Sequence, residues 1–149
     1  MKVSKDFFIT EFVPRLIWNE YGSDSIRFID LKLIYIAQYI RDWFNQPITI
    51  NNWFEGGKYN ESGYRLPGTV TGSWLSAHKA RMAIDIKFSS IETNRTVYEA
   101  ITGSIKTKFY RDLQDLGLTA VESNALTKDG WLHLTTENWG LPHIKIIGG

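Results

Sequence analysis

Apolar residues recur at steps of three and four positions from residue 26 to residue 44, which is the spacing of one face of an α-helix. Ser23 or Asp24 can cap the start of this helix, and Asn45, Gln46 and Pro47 end it, because proline disfavours a helical residue before it. The pattern therefore predicts a core helix here. Upstream, residues 10–13 predict a short capped turn that Pro14 ends or redirects.

Alternating apolar and polar residues predict short strands at residues 48–51, 83–88, 118–122 and 130–135, the last two forming a hairpin with a long loop. Between them, residues 93–116 are helical in pattern, with a break near Gly103 and a C-terminal cap at Gly117. This order of elements predicts an α+β fold with a small, mainly antiparallel sheet and helices packed on one side. The length, 149 residues, is that of a single domain spanning residues 1–149.

Residues 52–76 contain six glycines and prolines among aromatic and hydroxyl residues and show no periodic pattern. Irregular stretches of about 25 residues are uncommon inside a compact domain and usually carry function or move. We therefore expect a functional loop here.

Composition excludes several classes of protein. The chain has no cysteine, so disulfide frameworks, iron–sulfur sites and cysteine nucleophiles are excluded. The net charge of +1 gives no reason to expect a nucleic-acid partner. The most apolar stretch is interrupted by charges, so we expect no membrane span, and the N-terminus lacks an apolar run of signal-peptide length. We expect a monomer that is synthesised in the cytoplasm without its own signal peptide.

Two histidines and an aspartate provide candidate metal ligands. Asp85 alternates with isoleucines and His133 with leucines, so both point away from the apolar face of their strands, and His78 precedes Asp85 by seven positions. Two imidazoles, a carboxylate and an open fourth position form the ligand set of a catalytic zinc ion. The alternative is that His78 is a loop donor, Asp85 caps a turn and His133 lies on the surface. His143 follows a Gly-Leu-Pro turn and is predicted to lie in a surface tail.

Four short segments follow one another along the chain, namely Glu61 to Pro67 with its Ser-Gly-Tyr-Arg core, Ser76-x-His78, Ala83-x-Asp85 and Trp131-x-His133. Together they resemble the zinc peptidase family M15, and most of all its small phage and bacterial members related to D-Ala-D-Ala carboxypeptidases. The resemblance covers essentially the whole chain and implies an M15-like fold, similar to that of hedgehog-type domains.

The resemblance implies roles for individual residues. His78, Asp85 and His133 would bind zinc, Arg65 would hold the carbonyl or carboxylate of the substrate, and Ser76 would order the metal loop. The guanidinium of Arg65 suits its implied role of holding the substrate, because its planar donors match a carboxylate. The alternative for Arg65 is a salt bridge that anchors its loop.

Four aromatic residues are candidates for a groove beside the metal that packs against the substrate, although each is also typical of a core or rim position. They are Tyr64, Trp74, Trp131 and Trp139.

The chain departs from the M15 pattern at two positions. Arg81 replaces the glycine three residues after the first histidine, so Arg81 is strained if this position needs a positive φ. Gly130 stands three residues before the second histidine, where members usually have the acidic general base. We expect Glu122, at the end of its strand, to be the base. Asp129 and the absence of any base are the alternatives.

The resulting hypothesis is a zinc metallopeptidase that cuts peptide bonds in peptidoglycan stem peptides, as a D-Ala-D-Ala carboxypeptidase or an endolysin-type endopeptidase of phage origin. The alternative is a non-catalytic zinc-binding module of a phage or accessory complex, which binds a partner or the cell wall through residues 52–76.

Overall fold

The computed structural model describes residues 1–148 and has an α+β fold, as predicted. Within that range one sheet of four short strands is accompanied by five helices and three 3-10 turns, the latter at Ile9–Glu11, Gly22–Phe28 and Trp53–Glu55. The helices are α1 Arg15–Tyr21, α2 Leu31–Phe44, α3 Ile91–Thr102, α4 Lys108–Asp115 and α5 Asn124–Thr127. The strands are β1 Ala83–Ile86, β2 Ala120–Glu122, β3 Leu132–Thr135 and β4 Lys145–Ile147.

The sheet is mixed, and the prediction of a mainly antiparallel sheet is wrong in this respect. The strand order is β1-β3-β2-β4, with β3 antiparallel to both of its neighbours and β4 parallel to β2. The segment after Pro142 was predicted to be a surface tail. It instead returns along β2, where Lys145 donates its backbone N–H to Thr119 O at 2.8 Å.

The two faces of the sheet have different environments. Ile84, Ile86, Val121, Leu132 and Leu134 lie on one face and are all buried in the hydrophobic core. The core also includes apolar residues from α2, α3 and α4, which explains the helical periodicity of those segments. The opposite face carries Asp85 and His133, which are cross-strand partners.

Helix α2 begins later than its apolar periodicity predicts. Its N-cap is Asp30, whose side chain accepts a hydrogen bond from Lys32 N at 3.0 Å, whereas the predicted caps Ser23 and Asp24 lie in a 3-10 turn. A tertiary contact accounts for the difference, because Asp30 N donates to Arg81 O at 2.9 Å and so holds the preceding segment in another conformation. The predicted end is confirmed, with Asn45 as a left-handed C-cap.

Other predictions were confirmed in part. The hairpin of β2 and β3 forms, and the second helical region divides into α3 and α4, with Gly117 at φ 99° just after α4.

The strand predicted at residues 48–51 does not form. After a single bridge between Thr49 and Lys87, the Asn51 side chain instead forms hydrogen bonds with Val13 O and Ser62 N. Residues 52–76 contain one 3-10 turn and are otherwise irregular.

No helix within residues 1–148 combines the length and apolar character needed to cross a bilayer.

Candidate metal centre

Strand pairing brings together two of the three predicted ligands. Asp85 on β1 and His133 on β3 are register partners in an antiparallel pair, so their side chains emerge side by side on the same face. Both residues are nearly buried, although they lie on the face away from the apolar core. The alternation of apolar neighbours predicted this orientation from the sequence.

The third ligand, His78, comes from the loop that precedes β1, and a backbone contact fixes its ring. Nδ1 of His78 lies 2.7 Å from the carbonyl oxygen of Gly63. A carbonyl only accepts hydrogen bonds, so Nδ1 carries a proton, and Nε2, which faces Asp85 and His133, is the nitrogen that can bind a metal ion.

The Cα of Gly63 is tightly enclosed by the backbone of Phe12. A Cβ at this position would lie 2.0 Å from Phe12 O, and the next residue, Tyr64, donates its N–H to the same oxygen at 2.8 Å. The backbone of the N-terminal segment therefore sets the position of the carbonyl that orients His78.

The three donor atoms form a nearly equilateral triangle. Nε2 of His78 lies 3.1 Å from Nδ1 of His133 and 3.2 Å from Oδ1 of Asp85, and the last two atoms are 2.9 Å apart. Tetrahedral zinc with ligands at about 2.0–2.1 Å has edges of roughly 3.3 Å. The spacing and chemistry of this buried His-Asp-His group fit a metal ion, and the three residues can hold one.

Asp85 is held as a carboxylate. Burial alone raises its pKa, but hydrogen bonds and charge from His133 and His78 outweigh this effect and keep the pKa well below its ordinary value. Its second oxygen, Oδ2, accepts a hydrogen bond from Nη2 of Arg65 at 2.9 Å. A ligand carboxylate fixed in this way is oriented before a metal binds.

Arg65 therefore forms the salt bridge that the sequence left open as its alternative, and its partner is the candidate metal ligand Asp85. Its Nε also donates to Glu61 O at 2.7 Å, and its Nη1 lies 3.0 Å from where a Cβ of Gly72 would stand. Gly72 has φ 76°, so glycine suits both the backbone and the close approach of the guanidinium at this point.

Lys87 is a buried cation beside this group that sequence reasoning missed. Its Nζ donates to Ser62 Oγ at 2.7 Å and to the backbone oxygens of Ile50 and Asp85 at 3.1 Å. Burial lowers the pKa of Lys87 to about 8, against the opposing effect of Asp85. Because Lys87 alternates with Ile86, it lies on the same face of the chain as Asp85. This alternation is visible in the sequence and could have identified Lys87 as a neighbour of the site.

A cavity of about 330 Å³ opens over the three ligands, and two glutamates line it. Glu122 ends β2, and one further step along the β2–β3 register places it opposite His133. Glu137, which sequence reasoning missed, has the same strand parity as His133 and follows it by four residues. Arg65, Ser76 and Trp131 also line this cavity.

Asp129 lies outside the cavity lining. Its Oδ2 accepts a hydrogen bond from Nε of Arg95 at 2.9 Å. Asp129 was a candidate base because it shares strand parity with His133. This parity does not apply, because Lys128 and Asp129 both have positive φ, at 52° and 58°, and β3 begins only at Leu132.

Three of the four candidate groove aromatics line pockets, and the fourth lies in the core. Trp131 and Trp139 line the site cavity, and Trp74 lines a neighbouring pocket. Tyr64 belongs to the core, where it packs against Phe28 with ring centroids 5.3 Å apart.

The backbone at Arg81 is left-handed, with φ 71°, so the glycine of the M15 pattern is replaced without a change to the glycine-like conformation. Side-chain contacts oppose the strain, since Nη1 of Arg81 donates to Arg27 O at 3.0 Å and the guanidinium lies 5.0 Å from the Phe28 ring centroid. His143 is exposed and lies outside the metal-ligand group.

Comparisons with known proteins found no match to this chain among family models, curated proteins or solved structures.

Proposed function

We propose that this protein is a zinc-dependent metallopeptidase that cleaves peptide bonds in bacterial peptidoglycan stem peptides. The observation that supports this proposal is the triangle of His78, Asp85 and His133 donor atoms on the floor of an open cavity. A closed structural site would instead supply a fourth protein ligand. The peptide substrate and the choice of zinc rest on the resemblance to M15 peptidases, because this ligand set also accepts other divalent ions.

In this proposal each residue has a defined role, and Arg65 has two. His78, Asp85 and His133 would hold the ion, which when bound would supply a Lewis acid for the substrate carbonyl and for water. Glu122 accepts the proton of the attacking water and passes it to the leaving amine. Arg65 orients Asp85 through Nη2, and its free Nη1 donors are available to the substrate carbonyl or carboxylate.

Digestion of purified peptidoglycan by the zinc-loaded protein, with products identified by mass, tests the proposal. We expect new amino and carboxyl termini in the stem peptides, and their loss when a chelator is added. Activity that persists after complete removal of metal would contradict the proposal, as would the absence of products from fully loaded protein.

The assignment of the base is tested by Glu122→Gln, which keeps the shape of the side chain and removes its basicity. We expect kcat to fall about 100- to 10,000-fold while the zinc content stays the same. Glu92→Gln is the matched control, because Glu92 is exposed on α3 and does not line the cavity. Full activity of Glu122→Gln would move the role to Glu137.

A second candidate function is a metal-binding module without catalysis, which binds a partner through residues 52–76. The observation in its favour is the exposure of apolar side chains in this loop, with Val70 98% and Trp74 80% exposed. This function predicts binding to peptidoglycan or a partner that Trp74→Ala weakens, with no product formed at any zinc concentration.

A further inference from the structure

The cavity over the metal ligands continues into a second cavity on one side. A basic pocket of about 400 Å³, lined by Lys58, Tyr59, Thr71 and Lys87, shares Arg65, Asp85 and Trp131 with the site cavity. The two cavities are therefore adjacent and meet at these three residues.

A third cavity adjoins the site from another direction. The Trp74 pocket, of about 380 Å³ and lined by Pro67, Trp74, Leu75 and Ala80, shares Ser76 and Glu137 with the site cavity. It has no lining residue in common with the basic pocket. The cavity over the candidate ligands thus adjoins two pockets through different residues, and we refer to the basic pocket and the Trp74 pocket as the two arms of one groove.

The two arms differ in chemistry. The basic pocket has a polar floor, because Lys87 is buried there and its three hydrogen bonds all go to neutral oxygens. The Trp74 pocket has an apolar rim, on which the side chain of Leu75 is 69% exposed. A peptide bound across the groove would meet a different environment on each side of the bond above the metal ligands.

A groove with two open arms suits one of the two modes of peptide cleavage. A carboxypeptidase holds a chain end, so its site is closed beyond the terminal residue. An endopeptidase must accommodate the substrate on both sides of the cleaved bond. Resting on the proposed function, we propose that this site is endopeptidic, and that a peptide occupies both the basic pocket and the Trp74 pocket while an internal bond is cut.

The test uses the zinc-loaded full chain and two synthetic forms of one stem peptide. The first form has an acetylated N-terminus and an amidated C-terminus, and the second has both ends free. We expect cleavage of the blocked form at an internal bond, which water hydrolyses to a new carboxylate and a new amine. Release of a single C-terminal residue from the free form alone would overturn the inference and leave the proposed peptidase function in place.

Occupancy of each arm is tested by filling it. Thr71 lines only the basic pocket and Ala80 only the Trp74 pocket, and both are exposed, so Thr71→Trp and Ala80→Trp obstruct one arm each. We expect each variant to raise KM for the blocked peptide about tenfold or more at unchanged zinc content.

Thr96→Trp, at an exposed position on α3, is the control and should leave KM unchanged. If only one of the two obstructing variants raises KM, the substrate occupies one arm and the inference is wrong. If the loaded protein cleaves neither peptide nor peptidoglycan, the proposed function fails together with the inference.

Discussion

The guanidinium of Arg65 connects the candidate metal ligand Asp85 to the loop of residues 52–76, because it donates to Asp85 Oδ2 and to the backbone oxygen of Glu61. Arg65→Lys keeps the charge but loses the planar set of donors that forms hydrogen bonds with these two acceptors. We expect zinc affinity to fall about 10- to 100-fold, as measured by competition with a chelating dye.

Arg111→Lys, on the exposed face of α4, is the matched control for this substitution. An unchanged zinc affinity in Arg65→Lys would mean that the two histidines and β1 position Asp85 without help.

The positions of Asp85 and His133 could be predicted from the sequence because strand alternation determines which face a side chain occupies, whereas His78 lies in a loop to which this rule does not apply. Asp85 and His133 stand among apolar neighbours on regular strands, so the rule held for both. It failed for Asp129, where two consecutive left-handed residues precede the strand. The contacts of Arg65 and Lys87 depend on loops that have no periodic pattern, so no spacing in the sequence could have given them.

Helix α2 offers a comparison between a predicted cap and the observed one. Asp30 accepts from Lys32 N, and its Oδ2 also accepts from Thr136 Oγ1 at 2.7 Å, which ties the helix start to the segment after β3. We expect Asp30→Ala to lower the free energy of unfolding by about 1–2 kcal/mol in urea denaturation.

Asp24→Ala tests the cap that periodicity predicted. Asp24 is exposed and approaches only Arg27, at 3.7 Å, so the change should stay within about 0.5 kcal/mol. Equal effects of the two substitutions would contradict the assignment of Asp30 as the cap.

The elements that could be predicted are those whose own residues determine them. The stripe of α2 and the β2–β3 hairpin have strong local patterns, and both form. The start of α2 and the failure of residues 48–51 to form a strand depend on partners distant in the chain, such as Arg81 for Asp30. Strand β4 has three residues and needs β2 as a template, so its pairing direction has no local signal.

Glu11 makes the stability of the protein depend on pH away from the metal centre. Burial raises its pKa from 4.5 to about 7, although a hydrogen bond from Phe8 N lowers it in part. Between these values the folded protein retains a proton that the unfolded chain has lost. Stability should therefore fall as pH rises through this window, by at most about 1.4 kcal/mol per pH unit from this group.

Glu11→Gln keeps an acceptor for Phe8 N and removes the ionisation. Denaturant unfolding at several pH values between 4.5 and 8 should show a smaller decline than in the unmodified protein. Glu20→Gln, at an exposed position, should leave the decline as it was. Parallel curves for Glu11→Gln and the unmodified protein would contradict the raised pKa.

A metal at this site would connect three separate parts of the chain, namely the loop at His78, β1 and β3. Because the unfolded chain has no such site, zinc at about 100 times its Kd should stabilise the fold by about 2.7 kcal/mol. For a protein of this size we expect Tm to rise by about 5–10 °C, read by calorimetry with and without chelator.

His78→Ala should abolish this zinc-dependent rise in Tm, whereas His143→Ala should retain it, because His143 is exposed and outside the ligand group. A full rise in His78→Ala would mean that zinc stabilises the protein from another position.

Gly63 contributes no side chain, yet its carbonyl sets the tautomer of His78, and Phe12 O leaves no space for a Cβ. Alanine there would press against the N-terminal backbone and turn the imidazole away from its partners. A mutational survey scored by loss of bound metal should therefore report position 63 alongside the ligands themselves. The residues that govern ion binding then extend back to Phe12, 66 positions before His78, into a segment that supplies none of the three candidate ligands.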